Sequence, residues 1–266
     1  MVSLRGITVS VGYAECLAIT LPRNMRHFTE CVVVTTPEDK ATQEIARSVP
    51  GVRVLETDVF TRLGARFNKG WGMELGFDFI GRHGFICIHD ADILLPDSLP
   101  LDSLSPDHLH GARRRILADP AKWRPDLVWT TCPIHLDGGP IGFLQIANGE
   151  GQFLRDKKPW YDVSFTHGGG GDAYFMDLFP KSHQRVLPIY VLHLGLPDMN
   201  WFGCDQAGRD MMARFVHENG WHRAQRHHTR ESAARAPEIV DRVQVPGYEP
   251  SSYELPFVRR AKANRK

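Results

Sequence analysis

Strand-like and helix-like segments alternate over the first ninety residues of this 266-residue chain. Two segments with helical spacing of apolar residues, 39–49 and 68–84, lie between the later strand-like runs. Such alternation is typical of a parallel sheet covered by helices, because parallel strands need long crossover connections. The sequence therefore predicts an α/β fold. Four apolar or β-branched runs predict its strands, at residues 6–13, 31–36, 52–56 and 85–89.

The pattern becomes irregular after about residue 97, where Pro, Asp and Gly are frequent. A helix is predicted at 172–180 and another after residue 207, and the last nine residues are basic. Further strands are predicted at 127–132, 141–147 and 186–194.

Composition limits the class of protein. The apolar fraction of 42% and the charged fraction of 24% are those of a soluble globular protein. A net charge of +1 indicates no global attraction to a polyanion. No run approaches the ~20 apolar residues of a membrane span, and no signal peptide is recognisable. The five scattered cysteines favour a reducing compartment, so we expect a cytoplasmic protein without a membrane partner.

Two carboxylates, Asp90 and Asp92, directly follow the predicted strand 85–89. In open α/β sheets, ligands gather at the carboxyl ends of the strands. Two carboxylates in such a turn suit a hard divalent cation that keeps open positions for phosphate oxygens. The alternative is that both residues simply end a strand and cap a loop.

The order of elements, with "HDADILLP" at 89–96, resembles the glycosyltransferases of the GT-A fold, close to the large family-2-like group. The resemblance implies a Rossmann-like, mostly parallel sheet with flanking helices and a C-terminal helical or irregular extension. It also implies that the D-x-D motif binds Mn²⁺ or Mg²⁺, which holds the diphosphate of a nucleotide sugar such as a UDP-sugar. We assign residues 1–203 to the catalytic domain, with a nucleotide-sugar half at 1–96 and an acceptor half at 97–203, and residues 204–266 to a basic extension.

The resemblance places the nucleotide sugar near the ends of the first two strands. Gly12 allows close backbone approach, and Tyr13 has a ring that stacks on a base, although an ordinary turn explains both equally well. Thr35 ends the second strand, where the family has a polar residue. "RFNKGWGMELG" at 66–76 resembles the family's N-x-G-x-A-x-N-x-G segment, from which it departs at Lys69, Trp71 and Glu74. We include Asn68, Lys69 and Asp90 in the donor site, since a basic residue at a helix N-terminus suits a phosphate; the alternative for Lys69 is a solvated side chain.

"HGGGGDAYFMDLF" at 167–179 brings Asp172 to the start of a helix after a glycine-rich loop. Many inverting members of the family have an acid here, which removes the proton from the acceptor hydroxyl. The resemblance therefore implies that Asp172 is the general base and that Gly170 and Gly171 contact the acceptor. The alternative is that Asp172 is only the N-cap of the helix.

"VLHLGLPDMNWFG" at 191–203 supplies a late histidine followed by glycine and an Asn-Trp pair. By the same resemblance His193 is a third metal ligand and Trp201 contacts the acceptor. A core histidine at the end of an apolar strand is the alternative.

These residues predict a metal-dependent, inverting glycosyltransferase. A sugar-1-phosphate nucleotidyltransferase has a similar sheet, but "VGYAECLAITLP" lacks the G-x-G-x-R-like loop of that class. A zinc hydrolase is poorly supported, because no H-E-x-x-H spacing occurs. A non-catalytic nucleic-acid-binding protein is the rival from another class.

The acceptor hypothesis depends on uneven positive charge. A soluble enzyme with basic clusters can contact a polyanion through its phosphates. The profile resembles that of compact bacteriophage enzymes that glycosylate hydroxymethylated bases in DNA, which makes DNA a candidate acceptor beside a soluble glycan, protein or small molecule. The clusters are Arg113–Arg115, then Arg214, Arg223, Arg226 and Arg230, then Arg259 to Lys266.

Overall fold

The computed structural model describes residues 2–135, 139–196, 200–203 and 206–219. Within this part of the chain a single sheet has the strand order β3-β2-β1-β4-β8-β6-β9-β5, and β7 pairs with β6. The strands are β1 (Leu4–Val9), β2 (Cys31–Thr35), β3 (Val52–Glu56), β4 (Phe85–His89), β5 (Ile93–Leu94), β6 (Leu109–Leu117), β7 (Ile134–His135), β8 (Leu144–Asn148) and β9 (Gln184–Leu194).

The first half of the sheet is parallel. β1 pairs in parallel with β2 and β4, and β2 with β3. β8 is antiparallel to both β4 and β6, so β6 and its parallel partner β9 point in the same direction as β1. The short strands β5 and β7 run the other way. The carboxyl ends of β1, β2, β4 and β9 therefore lie along one edge of the sheet.

Helices cover both faces of this sheet. Leu17, Leu21 and Ala46, from α1 and α2, belong to the apolar cluster on one face, and Phe77 and Phe175, from α3 and α4, to the cluster on the other. Parallel strands buried on both faces have continuous apolar sequences, as in 31–35. The helices are α1 (Ala14–Asn24), α2 (Lys40–Ser48), α3 (Lys69–Ile80), α4 (Gly171–Asp177) and α5 (Gln206–Asn219).

The glycines of α3 allow the helix to lie directly on the sheet. A Cβ atom at Gly76 would be 2.5 Å from Cδ1 of Ile7 on β1 and 2.8 Å from Cγ2 of Val34 on β2. A Cβ atom at Gly70 would be 2.5 Å from the carbonyl oxygen of Asp162. Glycine lowers helix propensity, and here that loss is the cost of close helix–sheet contact.

The predicted α/β class with flanking helices is confirmed, and the sheet is mixed, with a parallel first half and an antiparallel strand β8 between β4 and β6. β2, β3, β4, α2 and α3 are where the sequence predicts them, and Asn68 caps α3 with its side-chain oxygen on the Trp71 amide. The first strand ends at Val9, four residues earlier than predicted, so Gly12 and Tyr13 lie beyond it. The strand predicted at 127–132 is wrong, because Trp129–Thr131 forms a 3-10 helix. The sequence analysis also missed α1 and β6, and β6 was hidden by its three consecutive arginines.

Those arginines are not one exposed basic cluster. Arg114 is buried, with its guanidinium 4.6 Å from the centroid of the Phe143 ring. Arg115 donates to the carbonyl oxygens of Thr130 and Cys132. Arg113 is exposed, because neighbouring residues of a strand face opposite ways.

No helix in the described ranges has the length and apolarity needed to cross a membrane. Four cysteines, Cys16, Cys31, Cys87 and Cys132, are free thiols, and Cys204 lies outside the described residues. The cytoplasmic location and the domain boundary at residue 203 stay predictions.

Candidate functional site

The two acids of the D-x-D motif lie in the turn between β4 and β5. The Asp90 amide donates to the carbonyl oxygen of Phe143, just before β8, over 3.1 Å. The carbonyl oxygen of Asp92 accepts from the Leu194 amide at the end of β9 over 2.9 Å. The turn is thus tied to two neighbouring strands, and its backbone is fixed by the sheet.

Lys69 forms an ion pair with Asp90. Its Nζ atom is 2.5 Å from Oδ1 of Asp90, and the two side chains are only 18% and 33% exposed. Burial opposes the positive charge, but the negative charges of Asp90, Asp172 and Asp92 outweigh it and raise the pKa of Lys69. Lys69 is therefore a fixed ammonium group in the first turn of α3, and the alternative of a solvated lysine does not describe it.

Asp92 is a buried carboxylate with an unsatisfied oxygen. The residue is 6% exposed, and Oδ1 has no hydrogen-bond partner. Burial raises the pKa of Asp92, while His193 opposes the shift and Asp90 adds to it. A buried carboxylate oxygen without a partner is unusual for an acid that only ends a strand, although a hydrogen bond with its own backbone amide lowers the pKa of Asp92.

His193 presents its ring to Asp92. Its Nδ1 atom lies 3.1 Å from the carbonyl oxygen of Gly195. Because a carbonyl only accepts, Nδ1 carries the proton, and Nε2 faces Oδ2 of Asp92 at 3.8 Å. A proton on Nε2, or a cation bound between the two atoms, would join this nitrogen to the carboxylate.

The donor set fits a divalent cation in part. The unsatisfied oxygen of Asp92 and the free Nε2 of His193 are suitable ligands. The third predicted ligand, Asp90, is engaged by Lys69. No group of three or more His, Cys, Asp or Glu side chains is arranged to hold a metal in the part of the chain that is described. Binding of Mn²⁺ or Mg²⁺ therefore stays a prediction.

Asp172 reaches this site from the start of α4. The N-cap residue of α4 is Gly170, and the Asp172 side chain instead accepts the Gly142 amide on Oδ2 over 3.0 Å. The helix-cap alternative is therefore not what the geometry shows. The charge of Asp172 raises the pKa values of both Lys69 and Tyr161, so Asp172 belongs to the same electrostatic environment as the D-x-D turn.

The predicted acceptor residues lie together. Gly170 has a left-handed backbone with φ of 90°, which favours glycine. A Cβ atom at Gly171 would be 2.9 Å from the Tyr161 ring. The carbonyl oxygen of Trp201 accepts the Gly168 amide over 2.6 Å, and its indole stacks on His167. Their contact with an acceptor is untested.

The predicted nucleotide residues have mixed environments. Gly12 is exposed and has a φ of 70°, and its amide donates to Oδ2 of Asp39 over 2.7 Å. Tyr13 is half-buried and packs on the core. Thr35 is fully buried within β2, and its hydroxyl has no hydrogen-bond partner. Asn68 uses its carboxamide to cap α3 and to donate to the carbonyl oxygen of Val163, which is a structural role. The donor contacts of all four stay predictions.

Sequence reasoning missed the residues behind the site. Glu74 accepts the amides of Trp160 and Tyr161 and pairs with Arg82, while Gln145 joins Tyr161 to Asp172. A polar residue inside the apolar run 141–147 was the available signal for Gln145. Asp39 was also missed, although it is the first residue of the predicted helix 39–49 and caps α2.

No protein-family model and no curated protein sequence matches the chain. Among solved structures, the inositol-1-phosphate CTP transferase from T. maritima is 12% identical, with a TM-score of 0.44 over 81% of this chain and 97% of that chain. Mannosyl-3-phosphoglycerate synthase from Rubrobacter xylanophilus is 15% identical, with a TM-score of 0.41 over 90% and 77%. The apo-form glycosyltransferase GlyE in Streptococcus pneumoniae TIGR4 is 11% identical, with a TM-score of 0.41 over 81% and 60%. Likenesses of this size say nothing about the activity of the chain.

Replacing Lys69 with Met should destabilise the fold. Asp90 would lose its partner beside the buried Asp92, and because the pair is only partly exposed we expect a loss of about 1–2 kcal/mol, between the values for surface and buried pairs. Urea unfolding of the wild type, Lys69→Met, Asp90→Asn and the double variant measures the coupling. A coupling energy of zero would show that the ion pair is not formed in solution.

Proposed function

We propose that this chain is a metal-dependent glycosyltransferase that moves a sugar from a nucleotide sugar, such as a UDP-sugar, to an acceptor hydroxyl with inversion. The observation that carries the proposal is the buried carboxylate of Asp92, whose Oδ1 atom has no hydrogen-bond partner and whose Oδ2 atom faces Nε2 of His193. This pair lies at the carboxyl ends of parallel strands, beside a fixed ammonium group and a second carboxylate, Asp172.

Each residue has a role that follows from its environment. Asp92 and His193 would hold Mn²⁺ or Mg²⁺ together with Asp90, and the bound ion would neutralise charge on the leaving diphosphate. Lys69 already lies against Asp90 and can bind a diphosphate oxygen through its ammonium group. Asp90, Asp92 and Asp172 outnumber Lys69, so a bound cation would reduce the repulsion between these acids and a diphosphate.

Asp172 would act as the general base. The acceptor oxygen forms a bond to the anomeric carbon of the sugar while the bond from that carbon to the diphosphate breaks and its electron pair leaves with the nucleotide. The hydroxyl proton passes to a carboxylate oxygen of Asp172. Oδ2 is held by the Gly142 amide, which leaves Oδ1 for the proton.

The test is a product assay with a panel of nucleotide sugars and Mn²⁺, in which water serves as the acceptor and nucleoside diphosphate release is measured. A sugar-1-phosphate nucleotidyltransferase would instead release pyrophosphate from a nucleoside triphosphate and a sugar 1-phosphate. Nucleoside diphosphate release that EDTA abolishes supports the proposal, and pyrophosphate release alone would replace it with the rival.

Replacing Asp92 with Asn should abolish metal-dependent hydrolysis of the donor without lowering stability. A buried carboxylate with an unsatisfied oxygen is costly to the folded state, so its loss should leave the melting temperature unchanged or higher. Asp97→Asn is the matched control, because that side chain is 92% exposed. Wild-type turnover in Asp92→Asn would remove Asp92 from the metal site.

Replacing Asp172 with Asn should retain donor binding but lower the rate of transfer by at least ~100-fold, since an amide cannot take the proton. The amide oxygen can still accept the Gly142 amide, so the loop should keep its position. Calorimetric binding of UDP-glucose with Mn²⁺ is compared with the rate, and Asp177→Asn, at the exposed end of α4, is the control. Joint loss of binding and rate would indicate a structural role.

A hydroxymethylated base in DNA is our candidate acceptor. Among the described members of the basic clusters, Arg113 and Arg214 are exposed and Arg114 is buried. The other predicted basic residues of the second and third clusters lie outside the described part. Binding of duplex DNA, with and without hydroxymethylpyrimidines, should fall steeply between ~50 and ~200 mM salt. Absence of binding at the lower salt excludes this acceptor and leaves the donor chemistry untouched.

A further inference from the structure

Gln145 is a fully buried polar residue in the middle of the sheet. It lies on β8 opposite Ile88 of β4, and Ile88 is two residues before Asp90 in the sequence. Gln145 is 0% exposed. A buried carboxamide lowers stability unless its donors and acceptor are bonded. Packing alone would favour an apolar residue in this central strand. The hydrogen bonds of the glutamine side chain therefore need a separate explanation.

The bonds of Gln145 connect two parts of the site. Nε2 donates to the carbonyl oxygens of Pro140, over 2.9 Å, and of Asp172, over 3.1 Å. Oε1 accepts the hydroxyl of Tyr161 over 2.8 Å. Because the carbonyl oxygens of Pro140 and Asp172 only accept, Nε2 must face them, and the tyrosine hydroxyl donates to Oε1 on the other side of the carboxamide.

Tyr161 is itself fixed by contacts with α3 and α4. Its amide donates to Oε1 of Glu74 over 2.8 Å, and its ring is buried against Phe175 and below Gly171. Its pKa is raised well above the ordinary value by burial and by the charges of Asp172 and Asp90, so the hydroxyl remains a donor at neutral pH. A chain of contacts therefore runs from Glu74 on α3 through Tyr161 and Gln145 to the backbone carbonyl of Asp172.

We propose that Gln145, oriented by Tyr161, is a positioning residue that holds Asp172 at the reacting centre. It contacts the backbone of Asp172 and Pro140, on both sides of the Gly142 amide that binds the carboxylate. This inference rests on the proposed role of Asp172 as general base. Misplacement of a catalytic group by about 1 Å is enough to slow a reaction ~100-fold.

The chain offers a matched control at the other end of the same helix. Gln184 on β9 donates through Nε2 to the carbonyl oxygens of Met176 and Phe179. Gln184→Leu therefore removes similar hydrogen bonds from α4 without touching the turn that carries Asp172. Tyr161→Phe removes only the hydroxyl that orients Gln145 and keeps the buried ring.

The experiment measures hydrolysis of UDP-glucose with Mn²⁺ in these variants. We expect Gln145→Leu to lower kcat about 10–100-fold with little change in KM, Tyr161→Phe to lower it less, and Gln184→Leu to leave it unchanged. In an Asp172→Asn background, Gln145→Leu should cause no further loss, because it acts through Asp172. An unchanged kcat, an equal loss in Gln184→Leu, or a full further loss in the Asp172→Asn background would each overturn the proposal.

A second measurement does not depend on activity. Hydrogen exchange at the Gly142 amide reports whether the Asp172 carboxylate keeps its place. Protection of this amide should fall in Gln145→Leu and not in Gln184→Leu; equal protection in Gln145→Leu and wild type overturns the positioning role. If the wild type hydrolyses no nucleotide sugar while the exchange result is as expected, the proposed function fails and the contact between Gln145 and Asp172 stands.

Discussion

The close contact of α3 with the parallel strands is the constraint on which the rest of the site depends. Gly76 lets the helix lie on Ile7 and Val34 without an intervening side chain. Because the helix is fixed this near the sheet, its first residue, Lys69, reaches Asp90 at the end of β4. A larger residue at Gly76 would raise the helix and separate the two charges. The same helix presents Glu74, which holds the backbone of residues 160–161 below α4.

The site contains a polar group that the fold leaves unsatisfied. The Oδ1 atom of the buried Asp92 has no hydrogen-bond partner, and Oδ2 lies 3.8 Å from Nε2 of His193. A buried polar atom without a partner is costly in a low-dielectric interior. Binding sites often contain such groups, because a ligand provides the missing partner. The surrounding network of Glu74, Tyr161 and Gln145 is in contrast well bonded, and it fixes the backbone around the unsatisfied groups.

Much of the first half of the fold was predictable because its signals are local. The run 31–35 is apolar throughout, and Asn68 followed by apolar residues at helical spacing predicts the start of α3 correctly. β6 was not predictable in this way, because its arginines suggest a solvated surface. Arg114 is buried, with its guanidinium against the Phe143 ring, and Phe143 comes from a loop 29 residues later in the chain.

The sequence by itself determined the α/β class, the order of the early elements and the types of residue at the candidate site, since strand and helix periodicities and short motifs are properties of neighbouring residues. Only the tertiary structure decided which of those residues meet. Lys69 pairs with Asp90, His193 faces Asp92, and Asn68 is used to cap a helix. The side chain of Gln145 bonds to Tyr161 and Asp172, which lie 16 and 27 residues away in sequence. Contacts over such separations depend on strand order and register, and no local pattern encodes them.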